Sequence, residues 1–183
     1  MAKKSPKKKK PQKKITKAEV EAAQARWADA IVDIGHAYTT GRDVVKRAKK
    51  YIEELYAYDD KVLFKPTKCK ERQFRLTAEG ALSYFVGDEF APHGFTEDGG
   101  FATAPFVAVR FKNADIITES SRALAMGNYY FTDTNGNTIK VEYTFGYRRR
   151  SGKLVIDLHH SSLPFEHCEE SSPTVDESSS EEV

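Results

Sequence analysis

The chain has 183 residues, enough for one domain and little more, and its formal charge of +2 is the sum of three unlike segments. Residues 1–17 carry nine lysines and no acid, residues 166–183 carry seven acids and no lysine or arginine, and the body between them holds 20 of each sign. That neutral body argues against a dedicated nucleic-acid domain, which needs clustered and uncompensated cations; any such contact, or one with an anionic surface, falls to the lysine-rich tail.

No run approaches the roughly 18 apolar residues of a membrane span, and lysines rather than an apolar stretch follow Met1, so the reading is an intracellular, cytoplasmic protein. Cys69 and Cys168 are too few for a disulfide framework or a thiolate metal site. Residues 1–15 and 167–183 hold too little apolar surface to offset the entropy of ordering and are expected to be disordered, flanking one domain over 16–166.

Thr16 followed three residues later by Glu19 is a capping box. Val20, Trp27, Ile31, Ile34 and Tyr38 then recur at helical spacing, which predicts a helix to about Thr40, closed by Gly41. Asp43 caps a second helix to about Tyr56, with Val44, Val45, Ala48, Ile52 and Leu55 as its buried stripe. After Tyr58 the period becomes two. Short segments at 62–64, 73–77, 81–86 and 106–111 read as strands, and three longer ones follow, 122–133, 137–150 and 153–165. Asn135-Gly136 and Ser151-Gly152 supply the positive φ of tight hairpin turns between those three. Two helices ahead of a long antiparallel meander can cover one face of it, an α+β architecture with a pocket under the helices and an outer face left for a partner subunit.

The segments VLFKPT (62–67), GALSYFVG (80–87), ALAMGNYYFTD (123–133), VEYTFGYRRR (141–150) and LHHSSLPF (158–165) resemble the iota-class carbonic anhydrases. These are related to the association domain of calcium/calmodulin-dependent protein kinase II, within the nuclear transport factor 2-like superfamily. The resemblance covers about residues 18–166. It implies a cone-shaped α+β barrel, a homodimer, reversible hydration of carbon dioxide to bicarbonate, and no cofactor. It also implies a site in which a Thr, a Tyr and a Ser beside a His hold water and bicarbonate. By position these are Thr67, Tyr84 and a pair within His159-His160-Ser161-Ser162.

Side chains alternate across a strand, so Leu154, Ile156, Leu158, His160 and Ser162 share one face. That set is apolar until its polar end, which selects His160 and Ser162 for the pocket; a bulge at the tetrad would reverse the choice. Thr67, Tyr84, His160 and Ser162 are therefore the expected catalytic set, with Phe64, Phe74 and Leu82 as an apolar surround. Neutral hydroxyls can donate to and accept from bicarbonate oxygens, and an imidazole with an ordinary pKa near 6.5 suits proton transfer at neutrality.

Adjacent strand residues cannot both face one ion, so His159 and His160 do not make a histidine-only zinc site; Asp or Glu could still complete one for zinc or manganese. The glycine-rich loop at 93–100 lacks the spacing of a phosphate loop, and Arg148–Arg150 read as a solvated hairpin tip. A reading from a different class is a non-catalytic, hub-like oligomerisation module that binds a small carboxylate. Thr67, Tyr84 and the tetrad, which pure assembly does not require, favour the enzyme.

Overall fold

The computed structural model describes residues 13–166, and the expectations for the two charged tails lie outside them apart from residues 13–15. The first helix, α1 (Lys17–Thr39), starts on the predicted capping box: Glu19 N donates to Thr16 Oγ1 at 3.2 Å, and Thr16 N donates to Glu19 Oε2 at 2.9 Å. Order reaches back to Ile15, which is fully buried and stands at the staple position against Val20 one turn into the helix. The second helix, α2 (Val44–Leu55), starts on Asp43, whose carboxylate accepts Lys46 N at 2.9 Å. The predicted stripes are buried, except that Tyr38 is exposed and Val45 only half-buried.

A short strand, β1 (Leu63–Lys65), follows. Two of the predicted strands are not strands. Residues 73–77 form a loop that touches β1 through a single bond, Arg75 N to Phe64 O at 2.8 Å, and 81–86 belong to a helix, α3 (Ala78–Val86). Thr77 caps α3 by accepting Gly80 N, and all residues from Gly80 to Val86 are buried. A helix buried all round has no polar face, so its sequence carries no period of 3.6 and looks like a buried strand.

The strand expected at 106–111 runs on as β2 (Phe106–Thr118), and the predicted three-segment meander follows as β3 (Arg122–Asp133), β4 (Thr138–Arg150) and β5 (Lys153–Ser162). The sheet order is β1-β5-β4-β3-β2, with β1 parallel to β5 and every other pair antiparallel. Gly136 and Gly152 take the positive φ of the two hairpin turns. Arg148–Arg150 are not a solvated tip. They tie the second hairpin to its surroundings: Arg149 pairs with Glu19 at 2.8 Å, Arg150 with Asp59 at 2.8 Å, and Arg148 with Asp60.

Curvature follows from one side chain. The Trp27 ring on α1 lies within 6.3 Å of Phe111 on β2, Tyr129 and Phe131 on β3, Phe145 on β4 and His159 on β5. Four adjacent strands span roughly 14 Å when flat, so one indole can touch all four only if the sheet wraps around the helix. The result is an α+β cone whose sheet stays open between its β1 and β2 edges.

Candidate active site

Under the helices an open cleft of about 480 Å³ leads to the sheet, lined by Thr67, Lys68, Tyr84, the Glu97–Gly100 turn and an apolar wall including Phe106, Phe131 and Ile139. Behind it lies a pocket of about 10 Å³, the room for one water. Thr67, Tyr84, Phe101, Phe131 and Val141 border both spaces, and the inner one is completed by Trp27, Phe85, Tyr129, His159 and Ser161.

Two of the four predicted catalytic residues meet there. Tyr84 projects from α3, not from a strand, and is buried. Burial pushes its phenol up, and the backbone of Lys68 and Thr67 nearby acts in the opposite direction. Tyr84 lines both spaces, and its hydroxyl has a hydrogen to donate there. Thr67, in the loop after β1, donates from Oγ1 to Ser161 Oγ at 2.9 Å.

The other two predicted residues face the wrong way. His160 is exposed, and Ser162 donates to Glu142 at 2.8 Å at the sheet surface, whereas His159 and Ser161 are only 2% and 3% exposed. The cause is a bulge. In the β4–β5 ladder Ile156 pairs with Tyr147 and Leu158 with Gly146, which leaves Asp157 as an extra residue. One extra residue reverses the alternation beyond it, so the inward set runs Leu154, Ile156, His159, Ser161. Gly146 makes the bulge possible: a Cβ there would stand 2.8 Å from both Asp157 Oδ1 and Leu158 Cβ. Arg122 then clamps Asp157 at 2.8 and 3.2 Å. Phe74, expected in the apolar surround, is also turned outward and 60% exposed, while Phe64 and Leu82 are buried as expected.

His159 sits in an aromatic box, stacked on Phe64 at 4.3 Å and edge-on to Phe145 at 4.2 Å. Its Nδ1 bonds to Tyr56 Oη at 2.9 Å, and its Nε2 is buried with no protein partner. Burial pushes the imidazole well below its ordinary value, and the adjacent His160 adds to this. An unperturbed imidazole shuttling protons at neutrality is thus not what the pocket contains; His159 is neutral there. Tyr129, which the sequence reading did not single out, is a further tyrosine in the lining of the pocket, together with Ser161.

The loop that carries Thr67 is held by charge. Glu97 accepts the backbone N–H groups of Lys70, Glu71 and Arg72 at 2.8, 2.9 and 2.7 Å, which hold its carboxyl down at about 2. Next to it Asp98 accepts from the buried Arg75 guanidinium at 2.5 Å and from Ser83 Oγ at 2.6 Å. The glycine-rich segment therefore contributes to the site through its acids, as a clamp between the Thr67 loop and α3. Among the described residues no three of His, Cys, Asp and Glu stand together as a metal-binding group, and no helix is long and apolar enough to cross a membrane.

A family model described as metal-independent carbonic anhydrase matches residues 18–163. A protein of Nostoc sp. named metal-independent carbonic anhydrase is 44% identical over 157 residues, covering 83% of this chain and 75% of that one. The crystal structure of a cyanobacterial iota-carbonic anhydrase complexed with bicarbonate superposes with a TM-score of 0.80 at 40% identity, over 90% of this chain and 99% of that one. A structure named as a calcium/calmodulin dependent protein kinase II association domain from Xanthomonas campestris shares the fold, with a TM-score of 0.54 at 24% identity, over 87% and 99% of the two chains. With the family model spanning nearly the whole cone and the hydroxyl-lined pocket at its centre, the chain belongs to the metal-independent carbonic anhydrases, the iota class, which catalyse the reversible hydration of carbon dioxide.

Proposed function

We propose that hydration takes place where the outer cleft meets the inner pocket, with Thr67, Tyr84, Ser161 and His159 as the groups that touch substrate. The observation that carries this is the Thr67–Ser161 hydroxyl pair, bonded at 2.9 Å, in the same one-water pocket as the buried and unpartnered Nε2 of His159. An unpartnered buried nitrogen costs about 1–3 kcal/mol, a cost that a bound water or bicarbonate oxygen removes.

The chemistry follows from the groups present. The water oxygen forms a bond to the carbon of carbon dioxide as one C=O electron pair moves onto its oxygen. The proton released by the water passes to a hydroxyl oxygen of the Thr67–Ser161 pair, which gives up its own hydrogen toward the solvent of the cleft, and bicarbonate remains. Hydroxyls are suited to this because each can accept one proton while donating another. Tyr84 donates to the oxygen on which charge develops, and the apolar wall keeps competing water away and strengthens each bond.

The test is stopped-flow hydration on chelator-treated protein. We expect the rate to survive chelation, and Tyr84→Phe to lower kcat/KM by roughly tenfold, the loss of one donor worth about 1.4 kcal/mol. A wild type no faster than buffer would overturn the assignment.

We also propose a homodimer through the outer face of the sheet. Register places Ile117, Leu124, Gly146, Leu158 and Leu63 side by side across all five strands, an apolar row with Met126 beside Leu124. Ile117, Leu124, Met126 and Leu63 are exposed, and a second copy presenting the same row would bury them. Sedimentation of Leu124→Lys is expected to give a monomer where the wild type gives a dimer; a monomeric wild type would refute the proposal.

A further inference from the structure

Two buried side chains behind the imidazole determine what His159 can do. Trp27 Nε1 lies 2.8 Å from Tyr56 Oη, which in turn lies 2.9 Å from His159 Nδ1, and all three residues are at most 2% exposed. An indole nitrogen can only donate, so the Tyr56 oxygen accepts from Trp27. The Tyr56 hydrogen then has to go elsewhere. Leaving it unused in a fully buried place would cost about 1–3 kcal/mol, and the acceptor within reach is His159 Nδ1. A neutral imidazole that accepts at Nδ1 carries its hydrogen on Nε2.

We infer that Tyr56, oriented by Trp27, is a positioning residue that fixes His159 in the tautomer with its hydrogen on Nε2, so that His159 enters the reaction as a hydrogen-bond donor to the substrate oxygens and not as the base that takes a proton from water. This rests on the placing of the reaction at the inner pocket. The ring faces inward, among Trp27, Phe145 and Tyr56, and the polar space it borders there is the pocket of Thr67, Tyr84, Tyr129 and Ser161. The other hollow that His159 borders is lined by Leu63, Phe64, Phe74, Leu76 and Leu158, apolar side chains that offer Nε2 no hydrogen-bond partner. A donor at Nε2 pairs with a substrate that has only oxygens to offer, and it leaves the hydroxyl pair as the route for the proton.

The arrangement is tested by nitrogen-15 NMR on the full chain labelled at histidine, with His159 assigned by its loss in His159→Gln. The expected wild-type spectrum shows a protonated Nε2 and an unprotonated Nδ1 for His159 from pH 6 to 8. In Tyr56→Phe the ring packing remains but the donor to Nδ1 is gone. There we expect a mixture of the two tautomers, with kcat lower by roughly tenfold and KM within about twofold. A wild-type His159 protonated on Nδ1, or a tautomer unmoved by Tyr56→Phe, would overturn the inference. The wild-type spectrum decides the tautomer even if a variant folds poorly. Because it is read without turnover, it also separates failure here from failure of the proposed reaction site, which the hydration assay decides.

Discussion

Ser161→Ala is expected to lower kcat/KM for carbon dioxide hydration by one to two orders of magnitude, and Ser162→Ala to leave it within about twofold. The two serines are neighbours in sequence and identical in chemistry, so the contrast measures only which face of β5 carries the reaction. Ser161 accepts from Thr67 inside the pocket, and its removal takes away one proton-relay partner and leaves the Thr67 hydroxyl without its acceptor. A group that contacts the developing charge in a water-poor site contributes about 2.7–4 kcal/mol in the best-studied oxyanion holes; a neutral hydroxyl in a relay is placed below that, at roughly 1.4–2.8 kcal/mol, which is ten- to a hundredfold. Ser162 holds Glu142 on the outer side. Thr67→Ala should match Ser161→Ala, and the double variant should lose little more than either alone, because the pair acts as one unit. Equal losses in Ser161→Ala and Ser162→Ala would mean that β5 does not present its inner face to substrate as described.

The largest expected effect on stability is at Arg75. Arg75→Met should destabilise the fold by about 3–5 kcal/mol, because it strands the Asp98 carboxylate in a place where both side chains are fully buried. For a domain of this size that is a fall in Tm of roughly 6–20 °C, readable by calorimetry. Replacing both partners, Arg75→Met with Asp98→Leu, should recover much of the loss, since no charge is then buried alone. Hydration should fall in Arg75→Met even well below its Tm. Arg75 also bonds to the carbonyl of Arg72 and faces Glu97 at 3.6 Å, and these tie down the loop that presents Thr67. A Tm within 2 °C of wild type would show that this pair does not hold the loop.

How far the site could be read in advance depended on what kind of neighbour placed each residue. Thr67 and Tyr84 were legible through resemblance, and their convergence in one pocket is what the tertiary structure adds. His160 and Ser162 were preferred to His159 and Ser161 on strict alternation, and the one-residue bulge that would reverse that choice is present. The signal was present in Gly146, an isolated glycine within the strand opposite, which marks a bulge where a backbone must approach closely. Tyr129 and Tyr56 carried no signal, since a buried tyrosine in a strand or at a helix end reads as core; only the distances from Tyr56 to His159 and Trp27 make it more than that. The segment at 81–86 failed for another reason. With no exposed face it had no period, and only its Thr77 cap told helix from strand.

The sequence alone determined the neutral body between charged tails, the two capped helices, the two hairpin turns and the family. These depend on local chemistry and on the order of residues along the chain, and both are printed in the sequence. The tertiary structure decided which face of β5 meets the pocket, which hydroxyls pair there, and that Arg75 and Asp98 hold the Thr67 loop. Each of these depends on a partner that only folding brings near, Gly146 against Asp157 across the second hairpin, Thr67 against Ser161, and Arg75 against Asp98.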